Sequence, residues 1–501
     1  MTERRRFDAG TRVARAARRV TSRALGVTLV VAFVVEAILP RQRAAAQGAS
    51  KAGAPAAKAA AISVVARARN ILGEMVAANT ASGSTTPLAN ALAARFRAAG
   101  FPTADVMVLG ATTKNRNLVV RLRGTDRTRA PLLFLAHLDV VGAERAAWKT
   151  DPFVLTERNG YLYGRGVLDD KGPAAAYAAA FLDLKQRGIV PSRDLILALT
   201  AGEESGEDNG VQWLIANRPE LMRAEYVINA DAGGGDLQDG RRIAFLVQAA
   251  EKVYLDLTLS AKGPGGHSSV PAPPSPIDAV ATAVARIARY EFPLSVNPVV
   301  RSYLERRASI SGGETGAAMA ALARNPQDAI AARTLSSNPV SNALIRTTCL
   351  TTLMSAGTAP NAIPSSASAN VNCRIVAGDP ADSVIAQIKR VIADTSVHVA
   401  VAYPAVPSPP SALPAALERI LRETVAGLWG ELPIIPYMET GATDGLYLRN
   451  AGIPVFGLIG IFAPDDALAS MHGNDERVPV AAYEDMVRFS TRLIERLARE
   501  P

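Results

Sequence analysis

Between residues 130 and 235, short apolar runs end one after another at a histidine or an acid. Leu132-Leu133-Phe134-Leu135-Ala136 runs into His137-Leu138-Asp139, Leu195–Thr200 leads to Gly202-Glu203-Glu204, and Tyr226–Asn229 leads to Ala230-Asp231. A short continuous apolar run reads as a strand buried on both faces, as in a parallel sheet. Helical patterns at Ala174–Gln186 and Val211–Ala216 separate the runs. This alternation predicts an α/β layer structure with a mostly parallel sheet. Open sheets of that kind collect ligands outside the carboxyl ends of their strands, so the polar residues here are expected on one rim.

The pattern changes near residue 250. Val253–Ala261 alternates Val and Leu with Tyr, Asp, Thr and Ser, and a helical pattern covers Ile277–Tyr290. Alternating strands at Leu350–Ser355, Ala367–Val376 and Val397–Tyr403, with a helix at Ser383–Ile392, predict a smaller α+β domain with one sheet face exposed. The α/β style returns after about residue 408 and ends in a long helix over Ala482–Ala498. The expected division is a first catalytic part at 61–250, an inserted domain at 251–407 with an Ala-rich helical insertion at 300–345, and a second catalytic part at 408–501.

Net charge does not identify a partner. The formal charge is +9, but residues 1–46 hold ten of the 55 basic residues and three of the 46 acidic ones, leaving 45 against 43. The main body is nearly neutral and gives no support to nucleic-acid binding. The basic excess sits in a leader: Arg-rich to Arg23, apolar from Ala24 to Leu39, then Ala44-Ala45-Ala46-Gln47 as a small-residue cleavage site. The apolar run is short for a spanning helix, which needs about 20 residues. Export to the periplasm or outside with cleavage is the expectation, and an uncleaved N-terminal anchor is the alternative. Residues 47–60 read as a linker. Cys349 and Cys373 lack metal-site spacing; they fit either a disulfide formed after export or two buried thiols.

Taken singly, each polar cluster has a structural reading. His137-x-Asp139 could be a strand-end histidine beside a solvated acid. Asp169-Asp170 in Gly164-Arg165-Gly166-Val167-Leu168-Asp169-Asp170-Lys171-Gly172 could cap a helix or bridge two metals. Glu203-Glu204, Asp231 and Met471-His472-Gly473 could all lie in solvated loops. Together they place two histidines and three carboxylates, one able to bridge, on one rim, a donor set that suits a pair of borderline ions. Two adjacent glutamates can divide the work, one ligating metal and one carrying a proton.

At these residues the chain resembles the co-catalytic zinc exopeptidases, a family that includes carboxypeptidase S, aminoacylase, glutamate carboxypeptidase and succinyl-diaminopimelate desuccinylase. The resemblance runs from about residue 60 to the end. It rests on the clusters above, on Trp148 with Pro152-Phe153, and on the order in which they occur. Arg346-Thr347-Thr348-Cys349, Asn361-Ala362-Ile363-Pro364, Asn372-Cys373-Arg374 and Thr440-Gly441-Ala442-Thr443-Asp444 look most like the carboxypeptidase S branch. The resemblance implies a three-layer catalytic domain interrupted by a ferredoxin-like lid that can also dimerise. It implies two zinc ions, with cobalt or manganese as substitutes: His137 and Asp231 on one, Glu204 and His472 on the other, and Asp169 between them. Asp139 would orient His137, Glu203 would be the general base, and His267 of Gly265-Gly266-His267-Ser268-Ser269 would stabilise the oxyanion, across a dimer in some members. Arg374, Asn361, Gly441 and Thr443 would hold the substrate, a small peptide or N-acyl amino acid. The competing reading is a periplasmic amino-acid or metal-binding protein on the same fold, for which a base at Glu203 has no use.

Overall fold

The computed structural model of the protein describes residues 62–81, 84–270 and 275–500. The expected leader and linker lie outside these residues. Among the described residues no helix is long and apolar enough to cross a membrane.

Nine strands form the central sheet. Along it lie Val106–Leu109, Asn117–Leu122, Leu195–Thr200, Leu132–His137, Tyr226–Asn229, Val455–Gly457, Arg241–Glu251 and Ile434–Glu439, with Gly234–Gln238 paired to Arg241–Glu251. Leu132–His137 runs parallel to both its neighbours, Tyr226–Asn229 to Val455–Gly457, and Arg241–Glu251 to Ile434–Glu439. Antiparallel pairing is concentrated at the Val106 edge and around Arg241–Glu251. The apolar strands are buried because helices cover both faces. Leu132, Phe134 and Ala136 point into one core with the helices Val64–Ala77, Lys171–Gln186 and Val480–Ala498. Leu133 and Leu135 point into the opposite core with the helices Gly210–Asn217 and Gly445–Asn450. This is the expected three-layer α/β arrangement.

A second, four-stranded sheet is antiparallel throughout, in the order Thr348–Ala356, Ser366–Ile375, Val253–Lys262, His398–Tyr403. With the helices Pro276–Ala288 and Ala381–Ile392 it follows the strand-helix-strand-strand-helix-strand sequence of a ferredoxin-like unit. Alternation decides its two faces: Leu255, Leu257, Leu259, Val371 and Cys373 are buried under the helices, whereas Tyr254, Asp256, Asn370, Asn372 and Arg374 lie on the open side. Cys349 and Cys373 are direct cross-strand partners and form a disulfide. The four helices Pro298–Ser311, Gly313–Arg324, Ala329–Ser336 and Pro339–Ile345 make up the predicted insertion, and their apolar side chains join the core of the central sheet.

The chain passes between the sheets at one end of this lid sheet. Lys252 alone separates Glu251 of the central sheet from Val253 of the lid. Its backbone N–H donates to the Glu439 carbonyl at 3.0 Å, and its ammonium to the Arg346 carbonyl at 2.8 Å, just before the lid strand that opens at Thr348. On the return after Tyr403, Ser408 Oγ donates to Glu251 at 3.0 Å and Ser411 N–H to the Ala249 carbonyl at 2.7 Å.

Candidate active site

The site is built from strand ends. His137 is the last residue of its strand. Its backbone N–H donates to Asp170 at 3.0 Å, and its ring Nδ1 lies 2.9 Å from the Asp139 backbone carbonyl. The Asp139 carboxylate was expected to orient this ring, but it lies 3.9 Å from Nδ1 and instead accepts the backbone N–H groups of Glu203 and Glu204 at 3.3 and 3.0 Å. Asp139 thus fixes the turn carrying the two glutamates. That turn needs Gly202: its φ is +75°, and a Cβ there would meet the Glu207 carbonyl oxygen at 2.4 Å.

Asp169 stands between the histidines. Its Oδ1 is 2.8 Å from His137 Nε2 and its Oδ2 is 2.8 Å from His472 Nε2. Asp231 lies 3.9 Å from His137 Nε2, and Glu204 3.2 Å from His472 Nε2. Ligand atoms of His137, Glu203 and Asp231 converge within 4.8 Å of one another, as do those of His137, Asp169 and Glu204. The five residues expected to bind metal therefore meet, and Glu203 meets them.

Buried Glu476, which the sequence reading did not single out, ties the two turns of the site together. Its carboxylate accepts the N–H groups of Gly166, Leu168 and Asp169 at 2.9, 2.8 and 3.3 Å, and pairs with buried Arg165 at 2.8 Å. Arg165 also donates to the Gly473 carbonyl at 2.8 Å, and so grips the turn of His472.

Electrostatically the cluster has too many acids for its two imidazoles. Burial pushes Glu203 and Asp231 well above the usual carboxylate range, and neighbouring carboxylates add to the push. Burial opposes the charge on Asp169, yet hydrogen bonds from both histidines keep it below the usual range. His472 is raised to about 10 by its hydrogen bonds to Asp169 and Glu204. Glu204 Oε1 is buried without a hydrogen-bond partner. Buried charge is costly unless paired or bound to metal, so converging carboxylates with an orphaned oxygen fit divalent cations.

A cavity of about 490 Å³ opens beside the cluster. Glu203, Glu204, Asp444 and His472 line its catalytic side, Gly441 and Thr443 line its wall, and Lys252, Tyr254, Arg374 and Tyr403 face it from the lid. Thr443 is committed elsewhere, since its N–H and hydroxyl both donate to buried Glu251, at 3.0 and 2.9 Å. His267 and Asn361 are not in this lining. Both are exposed on a two-stranded ribbon of the lid, where the Ser268 N–H donates to the Asn361 carbonyl.

The comparisons agree with this geometry. Residues 133–496 match the profile of Peptidase family M20/M25/M40. Human N-fatty-acyl-amino acid synthase/hydrolase PM20D1 is 31% identical over 384 residues, covering 75% of each chain. Probable carboxypeptidase S-like 2 of Dictyostelium discoideum is 30% identical over 396 residues, covering 76% of this chain and 74% of that one. The fold is similar to an M20 family metallo-carboxypeptidase from Sulfolobus solfataricus, with a TM-score of 0.64 and 18% identity, covering 86% of this chain and 99% of the other. The chain belongs to Peptidase family M20/M25/M40 and is an enzyme of the metallopeptidase and amidohydrolase class.

Proposed function

We propose that the protein hydrolyses an amide bond next to an amino acid with a free carboxylate, in a short peptide or an N-acyl amino acid, with two zinc ions as cofactor. His137 and Asp231 would hold one ion, Glu204 and His472 the other, and Asp169 both. The observation that carries this reading is Asp169, which offers one oxygen toward each histidine at 2.8 Å. Two ions held there would supply Lewis-acid polarisation of the amide carbonyl and would lower the pKa of a water toward neutrality.

Glu203 takes a proton from the water whose oxygen bonds to the amide carbon and returns it to the amide nitrogen as the C–N bond breaks, so the products are a free acid and a free amine. Its burial among carboxylates raises its proton affinity, which suits a group that must accept a proton and then release it. Arg374, whose guanidinium faces the cavity, is suited to bind the substrate carboxylate with two parallel hydrogen bonds. Gly441 and Thr443 shape the wall beside the scissile bond. Exposed on its ribbon, His267 is free to reach a second copy, in keeping with a homodimer formed through the lid. The names of the relatives make N-fatty-acyl amino acids and peptides the first substrates to try. Export to an oxidising compartment is in keeping with the Arg-rich, then apolar leader and with the Cys349–Cys373 disulfide.

The test is release of free amino acid from N-acyl amino acids and dipeptides by zinc-loaded protein lacking residues 1–46. Release that disappears in Glu203→Ala supports the reading. Equal release by that variant, or none from any substrate with two zinc ions bound, counts against it.

A further inference from the structure

On the lid face across the cavity from the carboxylate cluster, Arg374 stands in a small polar network whose other members the mechanism above does not use. Tyr254 and Arg374 are direct cross-strand partners, and so are Asp256 and Asn372. The Arg374 guanidinium lies over the Tyr254 ring, 4.7 Å from its centroid. The Tyr254 hydroxyl donates to Asp256 Oδ2, while Asn370 and Asn372 donate to Asp256 Oδ1 at 3.2 and 2.8 Å. Asp256 is the carboxylate whose charge bears on Arg374. Even so, among the described residues Arg374 makes no ion pair.

An arginine next to an aspartate ordinarily pairs with it, often bidentately. Here two amides fill one oxygen of the aspartate and a phenol holds the other, so about three of its four lone-pair sites are taken. The guanidinium is held from behind by an aromatic face, which attracts a cation without using its N–H groups. The N–H edge is left for a ligand in the cavity that Arg374 and Tyr254 both line.

We propose that Tyr254 is a positioning residue with two tasks: its ring seats Arg374, and its hydroxyl occupies Asp256 so that Arg374 stays unpaired until a substrate carboxylate arrives. The ligand class is an α-carboxylate on an amide-bearing molecule. The inference rests on Arg374 being the carboxylate receptor of the proposed function.

The test measures calorimetric binding of N-acetyl-leucine and N-acetyl-leucinamide to zinc-loaded protein carrying Glu203→Ala, so that neither ligand is consumed. The parent is expected to prefer the acid. Tyr254→Phe keeps the ring but frees Asp256 to compete for Arg374, and should weaken acid binding about tenfold, as for loss of one hydrogen bond to a charged group, with amide binding unchanged. Adding Asp256→Asn to Tyr254→Phe removes the competitor and should restore acid binding to within about threefold of the parent. Acid and amide weakened alike, no recovery in the double variant, or no preference for the acid in the parent would each overturn the proposal. Turnover of N-acetyl-leucine by protein with Glu203 intact is measured separately. Its absence counts against the hydrolase reading for that substrate, while the binding contrast still decides the role of Tyr254.

Discussion

At the scale of single residues, adjacent side chains of one type are given different work by their surroundings. Glu203 and Glu204 both line the cavity, but Glu204 pairs with His472 at 3.2 Å, whereas burial, together with the carboxylates of Asp444, Asp169 and Glu204, raises the proton affinity of Glu203. Glu203→Ala is expected to lower turnover by about 10²- to 10⁴-fold, the usual share of a general base, while two metal ions per chain remain by elemental analysis. Loss of metal along with activity would instead make Glu203 a ligand. Lys252 gives a pH signature. Burial, then the charge of Arg374, lowers it from 10.5 to about 7. Between those values the unfolded chain holds a proton that the folded protein has released, so this lysine makes stability rise with pH across that window; below about 7 both states are protonated and its contribution is flat. Lys252→Met should therefore show a shallower rise in urea midpoint from pH 7 to 10 than the parent. Parallel curves would mean that Lys252 titrates normally. His137, Asp169, Glu203, Glu204, Asp231 and His472 were legible in the sequence because each follows an apolar run or lies in a short motif. Asp256, Tyr254 and Glu476 were not, because their partners lie across a strand pair or in a distant turn. The exchange of roles at Asp139, whose backbone rather than carboxylate meets His137, was equally hidden, since residue type and spacing are the same in both arrangements.

At the scale of elements, the turns of Asp169 and His472 are joined by a buried ion pair. Replacing one partner of such a pair leaves the other charged and unpaired, typically at about 3–5 kcal/mol. Glu476→Ala should cost stability of that order in chemical unfolding. By releasing three backbone N–H groups beside Asp169, it should also weaken metal binding by about 10- to 100-fold, the usual effect of losing support behind a ligand. Unchanged metal affinity in a competition with chelator would show that the two turns hold their shape without the clip. The strands were read within a residue or two wherever the period was clear: Leu195–Thr200 and Tyr226–Asn229 have the expected bounds, and Val253–Ala261 extends only to Lys262. The helical insertion was legible as helix from its alanines. Its seat was not, because an Ala-rich surface suits either sheet, and Val299, Val300 and Leu304 choose the central one.

At the scale of the whole molecule, the carboxylate and histidine cluster, the cavity and the lid face lie together. A metal bound only by the folded protein adds stability by mass action, about 2.7 kcal/mol at a hundredfold excess over its Kd. Stripping metal with a chelator should therefore lower the melting temperature, and zinc should restore it; an unmoved melting temperature would argue against a resident ion. The mode of attachment of the lid also has a mechanical consequence. Lys252, Arg346 and the segment after Tyr403 all join the lid at the end where Val253 pairs with Ile375. Arg374, on Ser366–Ile375, is one position from that end, whereas Lys262 closes the neighbouring strand nine residues beyond Val253, roughly 30 Å away at about 3.3 Å per residue. For a swing of about 10° about that joint, the far end travels roughly 5 Å and the Arg374 backbone about 0.6 Å. The lid is therefore placed like a lever whose tip lies far from the joint and whose Arg374 lies beside it, so a swing that displaces the tip leaves the Arg374 backbone almost where it was relative to the carboxylate cluster.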